Sequence, residues 1–137
     1  MLAALREELQ TLAALPKDAP RGPSGRIYSD PELFAWECEA VLAKGWHCLG
    51  RADEIPNVGD FYTLRIQDEP LLVTHSKTGI KVLSNTCRHR GMPVATGQGN
   101  AKRHVCSYHA WSYGPDGALL KAPRMRNSGF DAKNCAL

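Results

Sequence analysis

The sequence predicts a mainly β fold, an antiparallel sandwich or barrel, preceded by N-terminal helices. Helical periodicity is confined to the first 44 residues, and short apolar or alternating runs follow it at 46–50, 60–66, 70–75, 80–84, 103–107 and 118–121. Turn-forming segments separate several of these runs, namely Pro56-Asn57-Val58-Gly59, Ser76-Lys77-Thr78-Gly79 and Pro115-Asp116-Gly117. Short strands at regular spacing are typical of antiparallel sandwiches and barrels.

The first helix is predicted over residues 1–15. Leucines recur there at helical spacing, and Pro16 ends the pattern; they are Leu2, Leu5, Leu9 and Leu12. Residues 16–26 contain prolines, glycines and charges, which predict an irregular arm. We interpret 1–26 as an N-terminal helix and irregular arm, in which the leucine stripe either packs on the periphery of the domain or forms a subunit contact.

A second helix is predicted from about Pro31 to Lys44. Ser29 and Glu32 have the spacing of a capping box, and Gly45 suits the end of the helix. Its expected apolar face consists of Phe34, Cys38, Val41 and Leu42.

Composition excludes several functional classes. The 137 residues are enough for one domain with an added arm, and the formal charge of +3 does not require a nucleic-acid partner. No apolar run approaches the ~20 residues that span a membrane, and charges interrupt the N-terminus, so we expect neither a membrane span nor a secretory signal. Five irregularly spaced cysteines imply no disulfide framework and favour the reducing cytoplasm.

Two short segments supply the strongest chemical signal. Cys87 and His89 are followed, after sixteen intervening residues, by Cys106 and His109. Two thiolates and two imidazoles can bind iron or zinc. A zinc finger usually takes two ligands of one kind from each segment, whereas each segment here offers one of each kind. That arrangement suits a two-iron cluster with both sulfurs on one iron and both imidazoles on the other. A zinc-stabilised binding module is the alternative.

The two segments resemble the Rieske [2Fe–2S] motif, with Arg90-Gly91 after the first pair and Trp111 after the second. The resemblance implies that Cys87, His89, Cys106 and His109 bind the cluster, with Arg90, Tyr108 and Trp111 around it. In the membrane-complex type, two further cysteines form a disulfide over the cluster, and a serine donates to it. Here Met92, Tyr108 and Trp111 stand at those positions, which favours a low reduction potential.

The preceding residues resemble the start of a Rieske non-haem iron oxygenase (ring-hydroxylating oxygenase) α subunit. The resemblance lies in Ile27–Phe34, Glu37, Glu39, Lys44–Arg51, Glu54–Pro56, Gly59–Phe61 and Asn85–Gly91. The resemblance implies a Rieske domain over 27–125 and, over 126–137, the start of a linker to a catalytic domain absent from this chain. One departure is Ala110, where many relatives have glycine.

By the same resemblance, the domain receives electrons from a ferredoxin or flavin reductase. It passes them to a mononuclear Fe(II) in the absent domain, within a homotrimer, for oxidation of an aromatic or quaternary ammonium substrate. We expect no catalytic residue in this chain, because His47, His75 and His104 lack the neighbouring carboxylate that a second iron site needs. A free-standing Rieske ferredoxin is the alternative. Basic residues near the motif are either a solvated face or a docking patch for an acidic donor; they are Arg88, Arg90, Lys102, Arg103 and His104.

Overall fold

The computed structural model describes residues 2–125 and 129–137, which form two compact units, Met1–Cys48 and Leu49–Leu137. The predicted domain limits after residues 26 and 125 stay predictions. Residues 126–128 of the predicted linker lie outside the described residues. No helix in the described part of the chain is both long and apolar enough to cross a membrane.

The first unit contains both predicted helices. Helix α1 spans Leu2–Ala13 and helix α2 spans Pro31–Ala40, followed by a 3-10 turn over Leu42–Lys44. The arm between them folds back, because the Glu8 carboxylate accepts hydrogen bonds from the backbone N–H and the hydroxyl of Ser24, at 2.6 and 3.0 Å.

Two details of the α2 prediction are wrong. The N-cap is Asp30, whose carboxylate accepts from the backbone N–H groups of Glu32 and Leu33, and Ser29 is not the cap. The fully buried residue is Leu33, whereas the predicted face is largely exposed at Phe34, Val41 and Leu42. Apolar residues surround most of this helix, so their spacing alone does not select the buried side.

The described residues of the second unit contain two antiparallel sheets, which confirms the predicted fold class. The larger has the order β3-β2-β1-β4, and the smaller the order β5-β6-β7. The strands are β1 Asp60–Ile66, β2 Glu69–Ser76, β3 Gly79–Ser84, β4 Gln98–Asn100, β5 His104–Val105, β6 Ser112–Tyr113 and β7 Leu119–Lys121. Strands β1 to β3 form a meander, with Tyr62 opposite Val73 and Val73 opposite Val82.

The strand prediction fails at one segment and misses two others. Residues 46–50 form no strand; Trp46 is fully exposed, and the imidazole Nε2 of His47 lies 2.6 Å from the carbonyl of Leu42. The segment has apolar residues but no neighbouring strand to supply ladder hydrogen bonds. Strands β4 and β6 were missed because they are only three and two residues long and β4 has no apolar residue.

The core of the second unit includes the two cysteines of the motif. Leu72, Val94, Trp111 and Tyr113 are buried in one cluster together with Cys87 and Cys106. The first motif segment follows β3, and the second connects β5 to β6. The sheets therefore bring both segments to a common, largely apolar site.

Candidate metal centre

The two motif segments form loops with the same backbone hydrogen bonds; we call 87–92 the first ligand loop and 106–111 the second. The N–H of Cys87 donates to the carbonyl of Met92 at 2.8 Å, and the N–H of Gly91 donates to Cys87 at 2.9 Å. Equivalent bonds join Cys106 to Trp111 at 2.9 Å and Ala110 to Cys106 at 3.0 Å. Each loop is a tight turn that begins at a cysteine.

Both turns contain a residue with left-handed backbone conformation. The φ angle is 72° at Gly91 and 57° at Ala110. Glycine adopts this conformation without steric cost, whereas alanine does not. The departure at Ala110 therefore puts a methyl group where the second loop needs positive φ, and the loop keeps its shape nevertheless.

The structure brings the four predicted ligands together. Cys87 and Cys106 are each 3% exposed, and the imidazole rings of His89 and His109 have centroids 4.7 Å apart. The Nδ1 atom of His109 is buried and has no hydrogen-bond partner. A buried imidazole nitrogen without a partner is costly unless it binds something, so this atom fits a metal ligand.

Tyr113 also belongs to this site, although it was not predicted. Its hydroxyl lies 3.3 Å from the Cys87 sulfur and accepts from the backbone N–H of Arg88 at 3.0 Å. Burial raises the pKa of the Cys87 thiol. Hydrogen bonds from Tyr113, Cys106 and the backbone N–H groups of His89 and Arg90 outweigh that effect and lower the pKa below its usual value. These contacts favour the thiolate, which is the form that binds metal.

No local sequence signal marks Tyr113 as part of the site. The residue lies two positions after Trp111 and is the second residue of β6, the strand that leaves the second ligand loop. From the sequence alone, an aromatic residue at this position is predicted to be an ordinary core residue. Only the fold brings its hydroxyl to the first loop. The pKa of Tyr113 is raised by burial and by its bond to Cys87, so the hydroxyl keeps its proton.

The three residues predicted around the cluster have different surroundings. Trp111 is 2% exposed, and its ring stacks on that of His89 at 4.9 Å and 9°. Tyr108 is 57% exposed and lies against His109, with ring centroids 3.7 Å apart. Arg90 is exposed. Partial burial and the charges of His89, Arg90 and Arg124 lower the pKa of His109, which favours the neutral, ligating imidazole.

A cavity of about 530 Å³ opens beside the two histidines. Its lining includes His89, Tyr108, His109 and Arg124. Arg124 has a φ of 68°, an uncommon conformation for a side chain of this size. The cavity is thus bordered by two imidazoles and a cation, a combination that suits an anionic group.

Other candidate histidines lie apart from this group. His47 is exposed, and the Nδ1 atom of His75 lies 2.8 Å from the carbonyl of Ile55. His104 is 3% exposed, so it belongs to the core and is not a surface residue. Of the predicted basic patch, Arg88, Arg90, Lys102 and Arg103 are exposed.

The donor set matches what a two-iron cluster requires of a protein. Among the described residues, no three or more histidine, cysteine or acidic side chains are grouped so that they could bind one metal ion. A [2Fe–2S] cluster asks for two protein ligands per iron, because sulfides supply the rest. Two buried cysteines and two adjacent imidazoles meet that requirement.

Comparison with known proteins agrees with this chemistry. The Rieske [2Fe-2S] domain profile matches residues 45–134. The α subunit of biphenyl 2,3-dioxygenase from Rhodococcus jostii (strain RHA1) is 41% identical over 100 residues, which are 72% of this chain and 22% of that one. The chloroplastic choline monooxygenase of Amaranthus tricolor is 34% identical over 116 residues, 84% of this chain and 26% of that one.

Among solved structures, naphthalene 1,2-dioxygenase from Rhodococcus sp. matches with a TM-score of 0.87 at 30% identity. The match covers all of this chain and 32% of that one, so it includes residues 1–26. The chain spans about a quarter to a third of the length of these proteins. The chain belongs to the Rieske [2Fe–2S] domain family, and its relatives include oxygenase α subunits.

Proposed function

We propose that this chain is the electron-transfer domain of a Rieske oxygenase α subunit, with Cys87 and Cys106 on one iron and His89 and His109 on the other. The observation that carries the proposal is the pairing of two buried cysteines with two adjacent imidazoles, one of which has a buried Nδ1 without a partner. When bound, the cluster takes up and releases one electron.

The surrounding residues support that role in separate ways. Tyr113 donates to the Cys87 sulfur, which stabilises negative charge on it. Trp111 covers the side of His89 and excludes water there. The ring of Tyr108 does the same for one side of His109, while its exposed part remains available to a partner.

The cavity at the histidines suits a carboxylate from a neighbouring catalytic domain. Its imidazoles can donate an N–H from the nitrogen that does not bind metal, and Arg124 adds a positive charge. In this proposal, electrons pass through that contact to a mononuclear Fe(II) in the catalytic domain, which lies outside this chain, and the subunits form a homotrimer.

The proposed donor is a ferredoxin or a flavin reductase. Arg88, Arg90, Lys102 and Arg103 are exposed, in or near the ligand loops in sequence, and their positive charges would attract an acidic partner. We place the protein in the cytoplasm because the irregular spacing of its cysteines implies no disulfide framework. The substrate is aromatic or a quaternary ammonium compound, since relatives of both kinds occur.

The experiment is to load the purified chain with iron and sulfide and to measure metal content, visible absorbance and the electron paramagnetic resonance spectrum of the reduced protein. We expect two irons and two sulfides per chain and a reversible one-electron signal. Cys87→Ser should remove the signal, whereas Cys48→Ser, at an exposed cysteine, should keep it.

Zinc without sulfide would contradict the proposal and favour the zinc-stabilised module. A free-standing ferredoxin is not favoured, because the relatives reported above are oxygenases or oxygenase subunits. The two readings differ in where the electron goes. Mixing the reduced chain with an oxygenase catalytic domain should oxidise the cluster of the chain. If no electron is transferred to that domain, while electrons exchange rapidly with free ferredoxins, the free-standing ferredoxin is favoured.

A further inference from the structure

No disulfide joins the first ligand loop to the second, because neither Cys87 nor Cys106 is part of one. Nevertheless both loops must keep their ligands in register around one small cluster. Residues 129–137, which we call the closing strap, lie against both halves of the site and provide a connection between them.

The closing strap is hydrogen-bonded on both sides. Arg88, in the first ligand loop, donates its side-chain Nε–H to the carbonyl of Ala136 at 2.8 Å. The next residue, Leu137, donates its backbone N–H to the carbonyl of Gly117 at 2.9 Å. Gly117 lies in the turn between β6 and β7, and β6 is the strand that leaves the second ligand loop. Two consecutive strap residues therefore connect the first ligand loop to the turn that follows β6.

Apolar contacts hold the same segment at both of its ends. The ring of Phe130 meets that of Trp111 edge to face, with centroids 5.1 Å apart at 63°. Cys135 and Leu137 pack against the core cluster that contains Cys87 and Cys106. The strap thus packs against Trp111 and the core cluster around the two cysteines, in addition to its hydrogen bonds.

Arg88 links the strap to a ligand sulfur. Its backbone N–H donates to the Tyr113 hydroxyl, and that hydroxyl lies 3.3 Å from the Cys87 sulfur. The backbone of Arg88 therefore fixes the hydroxyl, while its side chain fixes the strap. A shift of the strap would be transmitted to the Tyr113–Cys87 hydrogen bond through this one residue.

We propose that the closing strap clasps the two ligand loops through Arg88, and that this clasp controls how firmly the cluster is retained. Arg88 acts as a positioning residue and does not ligate the cluster. The inference rests on the proposed ligands and goes beyond them, because it assigns a role to a segment outside the motif.

The test is the rate of cluster loss from the loaded full chain in the presence of an iron chelator, followed by visible absorbance. Arg88→Gln should lose its cluster about tenfold faster than wild type, because it lacks a charge-assisted hydrogen bond. Arg88→Lys should recover much of the difference. Arg65→Gln is the matched control. Arg65 donates to the carbonyl of Asp68 in the turn between β1 and β2, so its substitution should leave the rate of cluster loss unchanged.

A second readout separates clasping from general destabilisation. Hydrogen exchange at the Leu137 amide should become faster in Arg88→Gln, while the β1–β2 amides keep their protection. Equal cluster-loss rates in wild type and Arg88→Gln would overturn the proposal.

If Arg88→Gln yields no cluster-loaded protein, Phe130→Leu is the second test. This substitution weakens the ring contact between the strap and Trp111 and removes no hydrogen bond of either loop. A loss about threefold faster than wild type supports the clasp, and an unchanged rate overturns it. A wild-type chain that binds no iron and sulfide would instead refute the ligand assignment itself.

Discussion

The two ligand loops have the same backbone conformation but differ in how they are anchored to the rest of the fold. Each begins at a cysteine whose N–H and carbonyl close the turn, and each has a positive φ four residues later. Two residues before each cysteine lies a buried polar side chain, Asn85 in one case and His104 in the other. These two residues reveal the difference.

Both polar atoms of the Asn85 side chain are hydrogen-bonded. Its amide donates to the carbonyl of Ala95 at 2.9 Å, and its oxygen accepts from Val94 and Ala95, each at 3.0 Å. The Nε2 atom of His104, by contrast, is buried without a partner, and its ring packs edge to face on Phe61. The first loop is therefore fixed by a polar network, and the second is fixed by packing that carries a polar cost.

The largest effect tests whether both loops are needed. Cys87→Ser in the first loop or His109→Ala in the second should abolish the visible cluster, and with it much of the folding stability, because cluster binding and folding are coupled. Visible absorbance and iron analysis check this. A folded, iron-loaded His109→Ala protein would contradict the assignment.

The next effect tests the polar anchor of the first loop. Asn85→Ala leaves two backbone N–H groups and one carbonyl without their partner, and it should lower the free energy of unfolding by about 3 kcal/mol. Denaturant unfolding measures this, with the exposed Asn57→Ala as the control. A loss no greater than that of the control would show that the network is unimportant.

Exchanging the positive-φ residues should produce opposite effects of similar size. Gly91→Ala introduces left-handed strain into the first loop, with no atoms nearby to clash, and should cost about 1 kcal/mol. Ala110→Gly relieves the same strain in the second loop and should add up to about 1 kcal/mol. Thermal unfolding of both variants tests this. Shifts of the same sign would contradict it.

The buried His104, two residues before the second loop, should make the stability of the fold depend on pH. Burial holds the pKa of His104 below its ordinary value, so the unfolded chain binds the proton first as the pH falls. Stability is therefore present above the ordinary histidine pKa, about 6.5, and is lost below it. His104→Leu should flatten this decline between pH 7 and pH 5 in denaturant titrations. An unchanged slope would mean that other groups cause it.

The smallest effect concerns the hydroxyl that reaches from the second loop's strand to the first loop. Tyr113→Phe removes the donor to Cys87 and should lower the midpoint potential by several tens of millivolts, because a tenfold change in a one-electron equilibrium corresponds to 59 mV. A redox titration measures it. A potential that rises, or does not move, would show that the hydroxyl does not stabilise the reduced state.

Local patterns predicted the parts of the fold that local chemistry determines. Alternation located β1, β2 and β3, and Pro16 and Gly45 marked the ends of the helical segments. Residues 46–50 were wrongly predicted as a strand, since apolar content does not show whether a neighbouring strand exists. The buried side of α2 was wrong for a related reason, because Leu33 and Phe34 are equally apolar and only packing distinguishes them.

The candidate site also contains residues that the sequence predicts and residues that it does not. The four proposed ligands could be predicted because cysteine and histidine side chains at this spacing are enough to suggest a two-iron cluster. Tyr113, Asn85 and the closing strap were not, because each acts through a contact between residues distant in sequence: Tyr113 with Cys87, Asn85 with Ala95, and Ala136 with Arg88. Such contacts depend on the fold, and no local pattern carries them.

A potentiometric titration of the iron- and sulfide-loaded chain, followed by electron paramagnetic resonance, tests the central claim most directly. We predict one reversible one-electron transition near the low end of the Rieske range, about −150 mV, from a cluster with two cysteine and two histidine ligands. A strongly positive midpoint would contradict the low-potential assignment. The absence of any iron–sulfur signal in a folded, metal-bound chain would contradict the account as a whole.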